Sequence, residues 1–107
     1  MPLASENCTP PEGMSALTAA EAAALAPEVA GWTLADQTLT REFVFPGFPE
    51  AMAFVNRVAE VAQAQDHHPE ICISYRQVRL TFSTHKLGGL SRNDFVMAAK
   101  TELIIDK

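Results

Sequence analysis

The sequence predicts an α+β domain: a single four-stranded antiparallel sheet with three helices on one face, in the order α-β-β-α-β-β-α. Three observations predict it. Two segments, Trp32 to Phe45 and Ile71 to Phe82, alternate apolar and polar residues with a period of two, as half-buried strands do. Between them, a stretch opening at Pro49 carries apolar residues at helical spacing. Alanine-rich or capped segments stand at either end. Two hairpins joined by an amphipathic helix close most simply into one antiparallel sheet covered on one face.

Each element has a local reason. Met1 to Met14 holds three prolines, one glycine and few bulky apolar residues. It reads as a flexible tail (1–14) before a domain at 15–107. The first helix opens at Leu17-Thr18-Ala19-Ala20-Glu21, where Thr18 and Glu21 have capping-box spacing. Alanines sustain it to Ala26, and Pro27 ends it. In the first hairpin Leu39, Arg41, Phe43 and Phe45 share one face, Thr40 and Glu42 the other, with Ala35-Asp36-Gln37 as the connection. Pro46-Gly47 stops the second strand. In the central helix Met52, Val55, Ala59 and Ala62 form one row with Phe54, Val58 and Val61 beside it, a wide core-facing stripe. It should end near Gln65, because Pro69 drives His68 out of helical geometry. Ile71, Ile73 and Tyr75, then Val78, Leu80 and Phe82, make a second hairpin turning near Arg76-Gln77. The last helix follows Gly88-Gly89, with Ser91 and Asp94 at cap spacing and Leu90 and Phe95 at the staple positions.

Composition bounds the function. The chain has 107 residues, 8 Lys+Arg against 13 Asp+Glu, and a net charge of −5. That acidity argues against a nucleic-acid binder, whose affinity comes mainly from phosphate neutralisation, and against a polybasic membrane-surface protein. Ala supplies 17 residues while Leu, Ile, Val and Phe together supply 26, enough for one modest core. Cys8 and Cys72 have no framework spacing, and there is no basic, apolar leader or membrane-length run, so a cytoplasmic protein is expected.

The chemistry-bearing residues gather in the second half. His67 and His68 lie between helix and strand, and His85 lies where a strand leaves the sheet. Imidazole, with a pKa of about 6.5, suits proton transfer at neutral pH. The length of the second hairpin returns His85 to the end where His67 and His68 sit, and Asp94 is close to that end in sequence. A helix-capping role alone would also account for Asp94. A zinc site from the same residues is disfavoured, since adjacent His67 and His68 cannot readily reach one metal from extended backbone. Tyr75 reads as sheet packing and Trp32 as core or rim.

Asp66-His67-His68-Pro69-Glu70, Tyr75, Thr84-His85, Gly89-Leu90 and Asp94 together resemble the signature of the pterin-4a-carbinolamine dehydratases. Upstream, Leu17 with Glu21, Gly31-Trp32, Arg41 with Phe43 and Phe45, and Phe48 with Ala51 and Phe54 follow the same pattern. The resemblance spans roughly Leu17 to Leu103. It implies loss of water from 4a-hydroxytetrahydropterin to give quinonoid dihydropterin, in recycling to tetrahydropterin, with no metal and no organic cofactor. It implies a catalytic set in which His67, His68 and His85 line the pterin site and Asp94 supports it. The two proton transfers the reaction needs then suggest His67 and His85 as the proton-transfer pair, with Asp94 orienting His85 or stabilising its charged form. His68, Pro69, Glu70 and Thr84 would bind the pterin. The implied partners are an aromatic amino acid hydroxylase, which makes the substrate, and further copies of the chain as dimer or tetramer. Gln63, Ile71 and Asn93 depart from common family residues, though none is a proton-transfer group. Two rival readings use the same residues or fold: a protein-binding module, either transcriptional coactivator-like or an assembly chaperone, and a metal-dependent hydrolase.

Overall fold

A computed structural model describes residues 3–35 and 37–105; Met1, Pro2, Asp36, Asp106 and Lys107 lie outside the described residues. The observed order is α1 (Ala19–Leu25), β1 (Thr33–Leu34), β2 (Leu39–Val44), α2 (Phe48–Gln65), β3 (Glu70–Ser74), β4 (Gln77–Phe82) and α3 (Arg92–Ile105). It is the order the periodicities predict. The four strands form one antiparallel sheet with spatial order β1-β2-β4-β3. The two hairpins therefore meet through β2 and β4, paired from Leu39 with Phe82 to Val44 with Gln77.

One face of the sheet is covered. Leu39 and Phe43 of β2, with Val78, Leu80 and Phe82 of β4, are buried, and α2 and α3 pack against these strands. From α2 come Ala51, Phe54, Val55, Val58 and Ala62. From α3 come Phe95, Val96, Met97, Ala98 and Ala99. Aromatic rings knit these layers: Trp32 lies 5.6 Å from Phe82, and Phe54 lies 4.8 Å from Phe43 and 5.0 Å from Phe45. Offset or tilted pairs of this kind contribute about 0.5–1.5 kcal/mol beyond the area they bury. The other face carries polar residues, including a Thr40–Thr81 hydroxyl contact and exposed Glu42 and Arg79.

Local chemistry sets the boundaries. At α1 both halves of the Thr18–Glu21 capping box form. Pro49 stands in the first turn of α2, where its missing N–H costs nothing. Asp66 closes that helix in the left-handed region, with φ 53°, and its amide bonds the Ala62 and Gln63 carbonyls. The left-handed cap, rather than Pro69 alone, thus turns the chain toward β3. At α3 the box forms in half: Asp94 accepts the Ser91 amide, but the Ser91 hydroxyl is engaged by Thr84.

Two expectations are corrected. The second hairpin turns at Tyr75-Arg76, because Ser74 pairs with Gln77. Tyr75 takes φ 55° in that turn and is 68% exposed, so it does not pack on the sheet. The second correction is residues 3–14, expected as a flexible tail. Leu3 is buried among core residues, and the following residues hydrogen-bond to Gln65, Asn93, Arg92 and Lys100. Prolines lower the entropy this segment loses on docking, and a single buried leucine anchors it.

Trp32 and Arg41 converge on α3. The Trp32 indole N–H donates to Glu102 at 3.0 Å, and the Arg41 guanidinium pairs with the same carboxylate while lying 4.7 Å over the Phe43 ring. A Cβ at Gly31 would stand 2.7 Å from the Arg41 guanidinium and would push that flexible tip aside. Glu102→Ala should lower stability by about 1–2 kcal/mol, because it strands a buried indole donor and a half-exposed cation. Urea denaturation followed by Trp32 fluorescence measures it; an unchanged midpoint would contradict this role.

Candidate active site

The site is built where α2 ends, β4 ends and α3 begins. Asp94 falls in the first turn of α3, where a carboxylate is favoured by the helix dipole. Its side chain is fully buried. A buried carboxylate is tolerable only when its oxygens are satisfied, and three donors do so here. The Ser91 amide reaches Oδ2 at 2.9 Å, the Thr84 hydroxyl reaches the same oxygen at 2.8 Å, and His67 Nε2 lies 2.6 Å from Oδ1.

With Asp94 ionised, the network has one consistent proton arrangement. Thr84 gives its single hydroxyl proton to Asp94, so Ser91, 2.7 Å from Thr84, donates to Thr84. An ionised Asp94 only accepts, so His67 carries its proton on Nε2. The ring nitrogen left to meet a ligand is Nδ1. Phe82 lies parallel to the His67 ring, at 6.3 Å between centroids and 8° between planes. The imidazole is 11% exposed, so it touches solvent along a narrow edge.

The other sequence-predicted residues are placed around this centre. His68 is exposed, and its Nε2 lies 2.9 Å from the side-chain Oε1 of Gln63. His85 opens a short 3-10 turn, His85–Leu87, directly after buried Thr84, and is exposed. The route His67–Asp94–Thr84 brings His85 to the same end of the sheet as the histidine pair, as the hairpin length requires. Pro69 is half-buried and Glu70 exposed at the start of β3. Among the described residues no three His, Cys, Asp or Glu side chains cluster at metal-binding spacing.

Two expectations about roles change with this geometry. The Asp94 carboxylate bonds His67, where His85 was the expected partner, and His67 follows the left-handed turn at Asp66. Thr84, expected to bind substrate, is 4% exposed and spends its hydroxyl on Asp94 and Ser91. Its backbone is committed as well, bridging to Gly89. The parity of β4 carries the reason. Val78, Leu80, Phe82 and Thr84 form one inward row, so Thr84 points to the core and His85 outward. Sequence reasoning treated Ser91 only as a cap and Phe82 only as core. The same parity, extended two residues past the strand, is the signal that would have tied Phe82 and Thr84 together, whereas Ser91 joins through its hydrogen bond to Thr84.

Comparison with known proteins then applies to this geometry. The pterin 4 alpha carbinolamine dehydratase family profile matches residues 15–104. The chain belongs to that family. Its dehydratase activity is that of a hydro-lyase. A Dechloromonas aromatica protein whose name assigns it to the pterin-4-alpha-carbinolamine dehydratases is 45% identical over 97% of this chain and 94% of its own length. One from Xanthomonas oryzae, similarly named, is 44% identical over all of this chain and 93% of its own. A crystal structure of a transcriptional coactivator/pterin dehydratase from Brucella melitensis superposes with a TM-score of 0.80 at 33% identity. That match covers 84% of this chain and 98% of the Brucella chain. Among the described residues no helix is long and apolar enough to cross a membrane.

Thr84→Val should cost about 1–3 kcal/mol, since it leaves a buried carboxylate oxygen one donor short. Glu70→Gln, on an exposed edge, should stay within about 0.5 kcal/mol of the parent. Paired urea titrations test the contrast, and equal effects would show that the Asp94 network carries no special load.

Proposed function

We propose that this member dehydrates 4a-hydroxytetrahydrobiopterin to quinonoid dihydropterin by histidine general acid–base catalysis, within tetrahydropterin recycling. The observation that carries this reading is the 2.6 Å contact between His67 Nε2 and Asp94, which leaves Nδ1 as a directed proton acceptor. The reaction needs two proton transfers. The C4a–O bond breaks with its electron pair on oxygen, which takes a proton and leaves as water. N5 loses its proton, and the freed pair forms the N5=C4a double bond. His67, held neutral on Nδ1 and protonated on Nε2, accepts the N5 proton. Asp94 then faces the resulting imidazolium and stabilises its charge, as a buried carboxylate does behind a catalytic histidine. Exposed His85, in its protonated form, donates to the departing hydroxyl. His68, steadied by Gln63, holds the pterin with Pro69 and Glu70 and assists the other stereoisomer.

Every proton the substrate exchanges has an imidazole partner in this scheme, and no metal or organic cofactor is required. General acid–base assistance of this kind contributes about 10²–10⁴-fold, which suits a site of three imidazoles and one carboxylate. The same reading includes a cytoplasmic location, an aromatic amino acid hydroxylase as the supplier of substrate, and self-association as dimer or tetramer. Self-association is supported by the free edge of β3, where Ile73 is exposed.

The test supplies 4a-hydroxytetrahydrobiopterin and follows quinonoid product above the spontaneous rate. His67→Ala and His85→Ala should each lower kcat by about 10²-fold or more. Asp94→Asn should lower it comparably, because an amide can present its N–H to the ring and select the wrong tautomer. No acceleration by the parent protein would favour the protein-binding reading instead.

A further inference from the structure

The N-terminal segment lies outside the residues matched by the family profile, yet it is the most heavily bonded irregular stretch near the site. Leu3 is 1% exposed, and Lys100 of α3 donates to the Ala4 carbonyl at 3.0 Å. Arg92 grips Glu6 with two bonds, Nε to Oε1 at 2.7 Å and a terminal nitrogen to Oε2 at 2.6 Å. The next three residues each reach a helix end. Asn7 accepts from the Gln65 amide nitrogen at 3.2 Å, and the Cys8 N–H donates to the Gln65 carbonyl oxygen at 2.7 Å. The Thr9 N–H donates to Asn93 Oδ1 at 3.0 Å, while Asn93 Nδ2 donates to the Thr9 carbonyl at 2.6 Å.

The positions of these two amides matter. Gln65 is the last residue of α2, two before His67. Asn93 is in the first turn of α3, immediately before Asp94, and is 3% exposed. Each amide uses both its donor and its acceptor on this segment, Gln65 on Asn7 and Cys8 and Asn93 on Thr9. Residues 7–9 therefore bridge the end of α2 to the start of α3, the two helix ends that carry the imidazole and its carboxylate. A hydrogen bond of 2.6 Å tolerates little relative sliding of those ends.

We propose that residues 3–9 act as a brace for the His67–Asp94 pair, with Asn93 and Gln65 as positioning residues that transmit it. Neither amide touches the reacting atoms. They hold α2 and α3 at the separation that seats His67 Nε2 on Asp94, so that Nδ1 faces the substrate in one orientation. The kinetic part of this proposal rests on the dehydratase reading; the structural part stands without it.

The experiment uses the full chain in a Cys72→Ser background, with Asn93→Ala and Gln65→Ala as the disrupting variants. Thr9→Ala is the control, since Thr9 is bound through its main chain. Three quantities are read at a temperature where melting curves show each variant folded. First, burial pushes the Cys8 thiol up to about 11, so at pH 8 iodoacetamide attacks it slowly. Undocking returns it to water, and alkylation should quicken roughly tenfold. Second, the His67 imidazole N–H, followed in protein carrying ¹⁵N-histidine, should exchange with water roughly tenfold faster once its bond to Asp94 loosens. Third, kcat should fall roughly tenfold with KM within about twofold, the mark of lost orientation rather than lost binding. Thr9→Ala should match the parent in all three.

Faster Cys8 alkylation with unchanged imidazole exchange would overturn the proposal and leave a segment that is docked without bracing anything. Unchanged alkylation and exchange in both variants would overturn it too. If the parent protein lacks dehydratase activity, the function reading fails by itself, and the exchange rates still decide the brace.

Discussion

The buried carboxylate of Asp94 is the constraint around which the functional end of this protein is arranged. A charge with no solvent contact has to be met by donors from the protein, and those donors come from three separate places in the chain. Ser91 offers its amide from the start of α3, Thr84 its hydroxyl from the end of β4, and His67 its ring nitrogen from beyond α2. The demand of one carboxylate thereby fixes how these three segments meet. Loss of any donor is felt by the other two, since Thr84 also holds Ser91.

The same arrangement divides the two adjacent histidines. His67 turns inward and surrenders one nitrogen to Asp94, so its remaining nitrogen has a defined direction. His68 turns outward to Gln63 and stays exposed. Residues next to each other in sequence therefore differ in tautomer control, burial and access. That divergence suits a reaction in which one group takes a proton while others hold and protonate the substrate. The aromatic layer beneath, from Phe82 through Trp32 to Phe43, gives the inward ring a rigid floor.

Much of this was legible in the order of residues. Period-two and period-3.6 patterns name the four strands and the central helix, because each half-buried strand or helix must repeat its apolar face at its own geometric interval. Capping signals and alanine content name the outer two helices. The Thr18–Glu21 box and the stop after Gln65 are likewise local events, set by side chains within a few residues of the backbone they cap. The histidines, Asp94 and the end of the sheet at which they gather follow from hairpin length. Tyr75 was misread because alternation continues formally into a two-residue turn, where a left-handed backbone releases the side chain to solvent. The first residues were misread because proline-rich composition resembles an unattached tail, whereas Leu3 and a handful of main-chain bonds suffice to dock it.

The order of residues dictates the set of elements, the apolar face each one carries and the chemical groups available for proton transfer. These depend on periodicity and on residue type, and both are local properties. The pairing of β2 with β4 emerges from the folded chain alone, since many registers satisfy the same alternation. Folding likewise decided that the Asp94 carboxylate meets the His67 ring, and that the Thr84 hydroxyl is spent on Asp94 and Ser91. Those outcomes turn on distances of a few tenths of an ångström between segments far apart in sequence. Hydrogen bonding is steep over such distances, and nothing in a one-dimensional pattern measures them.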